Sequence, residues 1–233
     1  MELGARLKAI ANQIGPYQSM ADIGTDHALL PVWLIRNEKI AVAVAGDVQT
    51  GPLEAAKRTV REAALGHKVA VRLGDGLRVV SPGEVEVAVI AGMGGLTIRQ
   101  ILQSSPEVVK TLRRIVCQPM TGAAVLREWL LTNGWIIVAE DLVQEDDRLY
   151  EIIVAEPGSA ETVDALLLEI GPRLWRNRHP LLAEHLIRLR QQYLYRATAM
   201  GKSRSEKVDR ERQKIMFKIA ELEAKLKCLQ IVE

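Results

Sequence analysis

The 233-residue sequence is poor in cysteine, aromatic residues and long apolar runs, and each scarcity excludes a class of protein. Its two cysteines, Cys117 and Cys228, match no metal-ligand spacing, which excludes a disulfide framework and indicates a reducing compartment. One Phe, four Tyr and four Trp provide few platforms for stacking single-stranded bases. No apolar run reaches the roughly 18 residues that span a bilayer, and the charged, amphipathic start is unlike a signal peptide. We therefore expect a cytoplasmic protein with no membrane partner and no metal.

The net charge of +2 is unevenly distributed along the chain. Residues 156–233 carry 15 Lys/Arg and 11 Asp/Glu, whereas residues 1–155 carry 16 and 18. A basic tail on a nearly neutral domain is compatible with a polyanionic partner. It is equally compatible with a solvated helical hairpin, so the charge alone identifies no partner.

Short apolar runs alternate with helical patterns through the first 155 residues. This alternation is typical of a doubly wound, mostly parallel α/β sheet, to which a closing hairpin adds an antiparallel strand. Between the strands, one helix is predicted to begin at Asp26 and end at Arg36. Seven strands are predicted: Ser19–Ile23, Ile40–Ala45, Val69–Leu73, Val85–Ile90, Arg114–Cys117, Trp135–Leu142 and Tyr150–Ala155.

The periodicity changes after residue 158. Apolar residues then recur at 4-3-4 spacing in one run and at 4-3-4-3 spacing in another, which is typical of a coiled-coil seam. We predict a domain over 1–158 and a helical arm over 159–233 whose tip is Gly201-Lys202-Ser203. The seam is more simply the core of this hairpin than a dimer interface, so we expect a monomer. Its residues are Leu182, Leu186, Leu189, Tyr193, Ile215, Ile219, Leu222, Leu226 and Leu229.

Acidic residues follow three successive predicted strands. Asp22 and Asp26 flank the turn at Gly24, Asp47 follows Gly24 by 23 residues, and Asp75 lies between two glycines. In open α/β sheets, ligands bind at the carboxyl ends of the strands. The turn at Gly24 and the helix after it are also expected to point backbone N–H groups into this crevice. The alternative is that each carboxylate only caps the helix that follows it.

These carboxylates favour a particular kind of ligand. The first turn lacks the full G-x-G-x-x-G that holds a pyrophosphate, and Asp22 and Asp26 repel phosphate. A carboxylate about 20 residues after the glycine turn suits the hydroxyls of a ribose. S-adenosylmethionine (SAM) has a ribose, a sulfonium and an ammonium but no phosphate, so it fits this pattern. The same pattern argues against a dinucleotide-dependent dehydrogenase, whose cofactor carries a pyrophosphate.

Five segments of the chain resemble the bacterial tRNA adenine-N1 methyltransferases of the TrmK type: DIGTDHALLP, AGDVQTGPLEAAKRTV, VRLGDGL, VIAGMGG and CQP. The resemblance extends over essentially the whole chain. It implies a class I methyltransferase fold, Rossmann-like, with a C-terminal coiled-coil hairpin. It also implies SAM as the cofactor, tRNA as the partner and N1 of adenine 22 as the methylated atom.

The resemblance implies a cofactor pocket at four strand ends. Asp22, Gly24 and Thr25 are expected at the methionine end of SAM. Asp47 is expected to hold the ribose, with Val48 packed on the adenine. The remaining implied pocket residues are Asp75 and Gly76 at the cofactor adenine, and Ala91, Gly92 and Met93 facing the methyl group.

The resemblance also places Asp26, His27 and a Gln118-Pro119 turn at the target base. Asp26 is our candidate for stabilising the positive charge of the methylated base, while His27 has the alternative of bonding a backbone carbonyl. Leu29 stands where family members commonly carry a tyrosine that supports the base. Six basic residues of the arm could contact tRNA phosphates. Their charge is equally compatible with a solvated face. They are Arg173, Arg176, Arg178, Lys202, Arg204 and Lys207.

Two other functions remain compatible with the sequence. Leu29 and the modest basic charge keep open a methyltransferase for another RNA or for a small molecule. The third reading is a non-catalytic nucleoside-binding module whose helical arm recruits a partner protein. That module would bind the cofactor without transferring its methyl group.

Overall fold

The computed structural model describes residues 2–159, 162–200 and 206–230. The chain divides after Thr162 into two compact units. In the described part of the chain, no helix is both long enough and apolar enough to cross a membrane.

The first unit is built on a seven-stranded sheet in the order β3-β2-β1-β4-β5-β7-β6. Neighbouring strands from β3 to β5 are parallel, and β7 is antiparallel to both β5 and β6. This confirms the predicted mostly parallel sheet with an antiparallel last strand. The strands are β1 Ser19–Ile23, β2 Val42–Asp47, β3 Val69–Leu73, β4 Val87–Gly94, β5 Arg114–Thr121, β6 Trp135–Glu145 and β7 Arg148–Pro157.

Helices cover both faces of this sheet. Their bounds are α1 Ala5–Asn12, α2 Leu29–Arg36, α3 Thr50–Glu62, α4 Gly95–Gln103, α5 Pro106–Val109 and α6 Ala123–Thr132, with a 3₁₀ turn over Gly76–Val79.

The central strands are buried on both sides, which explains their continuous apolar runs. Along β4, Val87 and Val89 face a core that includes residues of α1, α2 and α3, while Ala88 and Ile90 face a core that includes residues of α4, α5 and α6. All four of these side chains are fully buried. The alternation follows from the two-residue period of a strand.

Besides the shifted bounds of β2, β4, β6 and β7, three features differ from the sequence-based expectation. The second helix begins at Leu29, because Ala28 adopts a left-handed conformation with φ of 51°. β5 continues through Gln118 and Pro119, where a turn was expected, since both residues pair with β4. The 3₁₀ turn, the short helix α5 and a second short helix over Pro172–Arg176 were not predicted, because four or five residues carry too little periodicity to detect.

The second unit consists of the helices α7 Ala165–Ile170, α8 Pro172–Arg176, α9 Leu182–Met200 and α10 Glu206–Gln230. α9 and α10 run antiparallel, since Arg190 lies 3.6 Å from Glu223 and Tyr193 lies 3.4 Å from Lys218.

The predicted seam forms the contact between these two helices. Leu182, Leu186 and Tyr193 are buried on α9, and Leu189 is half-buried. On α10, Ile215, Ile219 and Leu222 are buried, while Leu226 and Leu229 are half-buried. The predicted tip, residues 201–203, lies outside the described residues.

A buried ion cluster ties α6 to the terminal hairpin of the sheet. Arg127 donates from Nε to Glu140 of β6 and from Nη2 to Glu151 of β7, each at 2.6 Å. The side chains of Arg127 and Glu140 have no exposed surface. Removing one partner from such a cluster leaves buried charge without compensation.

We expect Arg127→Met to lower the free energy of unfolding by about 3–5 kcal/mol, because it leaves two carboxylates without their cation. Urea denaturation at neutral pH measures the change. The matched control is Lys110→Met, which removes an exposed pair with Glu107 and should cost less than about 1 kcal/mol. Equal effects of the two substitutions would contradict a stabilising role for the cluster.

Candidate active site

A cleft of about 300 Å³ opens at the carboxyl ends of β1 and β4. The strand order reverses between these two strands, which is where open α/β sheets bind their ligands. The lining residues come from three segments: Arg6 and Leu7 of α1, Asp22 with residues 24–30, and Ala91 with Gly92.

The turn after β1 is held by β2. The N–H groups of Gly24 and Thr25 both donate to the carbonyl of Gly46, at 2.8 and 3.1 Å. The N–H of Ala28 donates to Oγ1 of Thr25 at 3.1 Å. These three N–H groups have partners within the protein, so the expectation that N–H groups point into the crevice does not hold for Gly24, Thr25 and Ala28. The turn offers side-chain carboxylates to a ligand.

Gly24 has φ of +77°, and a Cβ there would overlap the terminal methyl group of Met93. Glycine is therefore favoured by the positive φ of this turn, whereas the methyl group of the flexible Met93 side chain could move aside. Met93 was expected to face the reacting methyl group, and the structure packs it against this turn at the edge of the cleft.

Asp22 lies at the bottom of the cleft, where the accessible part of its half-buried side chain borders the cavity. Its pKa is raised to about 6, chiefly by burial and to a smaller extent by the nearby charge of Asp47. A hydrogen bond with the Thr25 side chain and the charge of Arg6 lower the pKa, but they do not outweigh burial. Asp22 therefore has a carboxylate that a cationic ligand would stabilise.

Asp26 and His27 lie together at the mouth of the cleft. His27 Nε2 is 3.4 Å from Asp26 Oδ2, and these side chains are 46% and 75% exposed respectively. No side chain caps α2, so neither Asp22 nor Asp26 serves as the helix cap that the alternative interpretation required. Leu29, half-buried in the first turn of α2, lines the same cleft.

The ends of β2 and β3 add two further carboxylates. Asp47 accepts a hydrogen bond from the N–H of Gln49 at 2.7 Å, so part of its role is local turn formation. Asp75 is exposed and lies 3.7 Å from Arg78. Val48, which follows Asp47, is 65% exposed. An exposed apolar side chain beside two carboxylates matches what a nucleoside needs, namely a surface for the base and acceptors for its polar groups.

The end of β4 is joined to β5 by a side-chain amide. Oε1 of the fully buried Gln118 accepts a hydrogen bond from the N–H of Gly92 at 3.2 Å and another from Arg6 Nη1 at 2.8 Å. Pro119 is also buried. Gln118 and Pro119 thus lie within the sheet, behind the wall of the cleft, and not on an exposed turn.

Arg6 is the charged cleft residue that sequence reasoning missed, together with the apolar Leu7, Ala28 and Leu30. Its partner Gln118 is 112 residues away in sequence, and the helical spacing of α1 predicted only which residues are buried. The basic residues proposed for tRNA lie in the second unit: Arg173 is half-buried, and Arg176 and Arg178 are exposed. Lys202 and Arg204 lie outside the described residues, and the side chain of Lys207 is not described.

The side chains at these strand ends fit the chemical groups of SAM. Asp22 and Asp26 suit its cationic groups, Asp47 suits the ribose hydroxyls, and Val48 suits the adenine face. The inward N–H groups that a phosphate requires are already bonded at Gly24, Thr25 and Ala28. Within the described ranges, no three His, Cys, Asp or Glu side chains are grouped so as to hold a metal ion.

Comparison with known proteins identifies relatives of the whole chain. A family model described as TrmK, tRNA (adenine(22)-N(1))-methyltransferase, matches residues 20–224. The chain is 38% identical over 172 residues to the tRNA (adenine(22)-N(1))-methyltransferase of Bacillus subtilis, which covers 73% of this chain and 72% of that protein.

Solved structures agree with this family match. The crystal structure of the B. subtilis m1A22 tRNA methyltransferase TrmK superimposes with a TM-score of 0.89 at 29% identity, covering 97% of this chain and 99% of that one. Sp1610 of Streptococcus pneumoniae, solved in complex with S-adenosyl-L-methionine, superimposes with a TM-score of 0.87 at 30% identity, covering 97% and 100%. The chain belongs to the TrmK family of tRNA (adenine(22)-N(1))-methyltransferases.

Proposed function

We propose that this chain uses SAM to methylate N1 of adenine 22 in tRNA, and that the cleft between β1 and β4 is the site of transfer. The observation that carries the proposal is the chemistry of this cleft. It presents carboxylates at the point where the strand order reverses, and the N–H groups of Gly24 and Thr25 are already bonded to Gly46. Membership of the TrmK family supports the same reaction.

The cofactor contributes an electrophilic methyl group on a sulfonium. Asp47 accepts hydrogen bonds from the ribose hydroxyls, Val48 packs on the adenine, and Asp75 accepts from the adenine amino group. Asp22 neutralises the cationic methionine end. Six further residues complete the proposed pocket. The small ones let the cofactor approach the backbone closely, and the others add one hydroxyl and one apolar side chain: Gly24, Thr25, Gly76, Ala91, Gly92 and Met93.

The target nitrogen needs little activation. N1 of adenine carries a lone pair in the ring plane and is unprotonated at neutral pH, so attack requires alignment and no strong base. The methylated base is cationic until N6 loses a proton. Asp26 stabilises that charge from the mouth of the cleft, with His27 beside it at 3.4 Å. Leu29 supplies an apolar contact for the extruded base.

The proposed division of labour follows the sequence-based domains, with catalysis in 1–158 and tRNA docking in the arm over 159–233. Arg176 and Arg178 are exposed in the second unit and suit phosphate oxygens. Arg173, Lys202 and Arg204 are proposed for the same surface. A monomer in the cytoplasm remains part of the proposal.

Methyl transfer from labelled SAM to unmodified tRNA transcripts tests the function. One transcript carries adenine at position 22 and its matched control carries guanine. We expect N1-methyladenosine, identified by mass spectrometry, only with the adenine transcript. Product from both transcripts would move the target site, and SAM binding without any product would contradict catalysis.

Two carboxylate substitutions separate cofactor binding from chemistry. Asp47→Ala should weaken SAM binding by about thirty- to a hundredfold, because it removes a charged acceptor of ribose hydroxyls. Asp26→Asn should lower kcat about ten- to a hundredfold and should weaken SAM binding less than Asp47→Ala does. Calorimetric titration and single-turnover kinetics measure the two effects. Unchanged SAM affinity in Asp47→Ala would remove the ribose assignment.

The pKa of Asp22 predicts a stability difference that depends on pH. Because its folded pKa of about 6 lies above the ordinary value of 3.8, the folded state holds the proton more tightly. Wild-type stability from this group therefore falls as pH rises from about 4 to about 6 and is lowest above that range.

We expect Asp22→Asn to be more stable than the wild type by about 2–3 kcal/mol at pH 7 and equally stable below pH 4. Urea denaturation of both proteins across this range, without ligand, measures the difference. All other titrating groups are shared, so they cancel. A stability difference that does not change with pH would show that Asp22 does not carry the charge cost.

A further inference from the structure

The terminal hairpin of the sheet extends beyond its neighbour β5 at the carboxyl edge. β5 and β7 form their last pair at Cys117 and Ile153. The ladder between β6 and β7 continues past that level, to the pair of Glu145 with Arg148. The end of the hairpin therefore lies beside the cleft, on the side of β4 that faces away from β1.

Tyr150 lies in this extension, on the sheet face that α1 covers. The side chains of Ile152 and Val154 belong to the core shared with α1, and the two-residue period of a strand places Tyr150 on the same face. The guanidinium carbon of Arg6 lies 5.5 Å from the centroid of the Tyr150 ring, in agreement with that orientation. Because Arg6 also lines the cleft, the ring lies directly beyond the wall of the cavity.

Met120 lies on the same surface. Met120 and Tyr150 each lie three residues past the last pair of β5 with β7, so the antiparallel register places them side by side. Gln118 Nε2 donates to Met120 Sδ at 3.5 Å, which puts Met120 on the face of Gln118 and Arg6. Met120 is 42% exposed, and Tyr150 is half-buried. We call Arg6, Met120 and Tyr150 the hairpin platform.

Extrusion of the target adenine creates a need that the cleft does not meet. Taking this base out of its stack also leaves the neighbouring base without one stacking partner. Among the described residues that line the cleft there is no Phe, Tyr or Trp. An aromatic ring beside a guanidinium is a surface on which unpaired bases stack, whatever their identity. The hairpin platform supplies such a surface at the border of the cleft.

The position of the platform determines which base it meets. The proposed cofactor pocket lies at the ends of β1 to β4, so the RNA approaches over β5 and β7. Tyr150 lies on β7, two strand spacings or roughly 10 Å from β4. A base whose N1 meets the methyl group over β4 cannot also cover a ring two strands away. The next nucleotide of the chain can.

The charge of the platform favours a base over a phosphate. Arg6 Nε lies 3.9 Å from Glu145 Oε2, and the backbone N–H of Arg6 donates to Glu145 Oε1 at 3.0 Å. Arg6 Nη1 donates to Gln118 at 2.8 Å. The cation of the platform is therefore already paired within the protein, whereas phosphate binding is strongest where positive charge is in excess.

We propose that the hairpin platform stacks against the base next to adenine 22 when adenine 22 is extruded into the cleft. The inference rests on the proposed function and deepens it, since it assumes that adenine 22 of tRNA meets this cleft. Tyr150 is then a positioning residue, because it replaces the stacking that the flanking base loses and contacts neither SAM nor the reacting nitrogen. The hairpin and α1 together form the RNA side of the site.

The test is a cycle between one side chain and one base. The proteins are the wild type and Tyr150→Leu, which keeps apolar bulk but loses the flat ring. The ligands are three synthetic tRNAs: one is complete, and two lack the base on the 5′ or the 3′ side of adenine 22. Fluorescence anisotropy measures the affinities with S-adenosylhomocysteine present, so that no methyl group is transferred.

We expect Tyr150→Leu to bind the complete tRNA about five- to a hundredfold more weakly, because stacking on an aromatic ring is lost. One of the two abasic tRNAs should bind the wild type more weakly by a similar factor. For that tRNA, Tyr150→Leu should cause less than about a twofold further loss. Tyr150→Phe keeps the ring, and the Tyr150 hydroxyl forms no hydrogen bond within the described residues, so its affinity should stay within about threefold of the wild type.

Tyr17→Leu is the matched control. Tyr17 also lies beside an arginine, with its ring centroid 5.3 Å from the guanidinium carbon of Arg114, but it precedes β1 at the amino edge of the sheet. We expect its substitution to leave all three tRNA affinities unchanged. SAM affinity should stay within about threefold of the wild type in every variant, which shows that the proteins are folded and that the cofactor site is intact.

Two kinds of result would overturn the proposal. Tyr150→Leu could weaken the binding of the complete tRNA and of both abasic tRNAs by the same factor, or weaken none, and either outcome shows that the ring meets neither flanking base. A matching loss of SAM affinity in Tyr150→Leu would instead assign the ring to the support of Arg6 and the cleft wall.

These outcomes are distinct from failure of the proposed function. Methylation of adenine 22 without coupling between Tyr150 and a flanking base contradicts the platform alone. Coupling without methyl transfer supports the platform and contradicts catalysis. Absence of tRNA binding by the wild type contradicts both.

Discussion

The parallel pairing of β1 with β4 is the constraint on which the catalytic unit depends. The strand order reverses between β1 and β4. The connections that leave these two strands therefore run in opposite directions, and a cleft opens between them. Both strands are buried on two faces, which holds their ends in place. The acidic turn after β1 and Gly92 near the end of β4 therefore line the same cleft.

This position has a consequence for Asp22. A carboxylate at the end of a doubly buried strand loses much of its hydration, and its raised pKa reflects that loss. The residues around it reduce the cost only in part, since Thr25 and Arg6 favour the charge while Asp47 opposes it. A buried carboxylate that lacks full compensation is suited to a cationic ligand. The charge of Asp22 therefore lowers the stability of the folded protein but favours binding.

Much of this arrangement was predictable from sequence, for identifiable reasons. The central strands are continuous apolar runs, and the arm has a heptad seam. Each pattern arises from burial along a single strand or helix, so it can be recognised in consecutive residues. The end of β5 was not predictable, because its extension through Gln118 depends on pairing with β4. The late start of α2 depends on the left-handed Ala28, which no local signal marks. Arg6 was missed because its contacts join segments remote in sequence.

The contacts of α1 also bear on how the protein is made. Arg6 is synthesised before its partners Gln118 and Glu145, which follow 112 and 139 residues later. The helix therefore cannot take its final place until the last hairpin of the sheet has been synthesised. A nascent chain that has already formed β1 through β4 still lacks one wall of its cleft. Helix α1, although translated before the sheet, is thus among the last parts of this unit to dock.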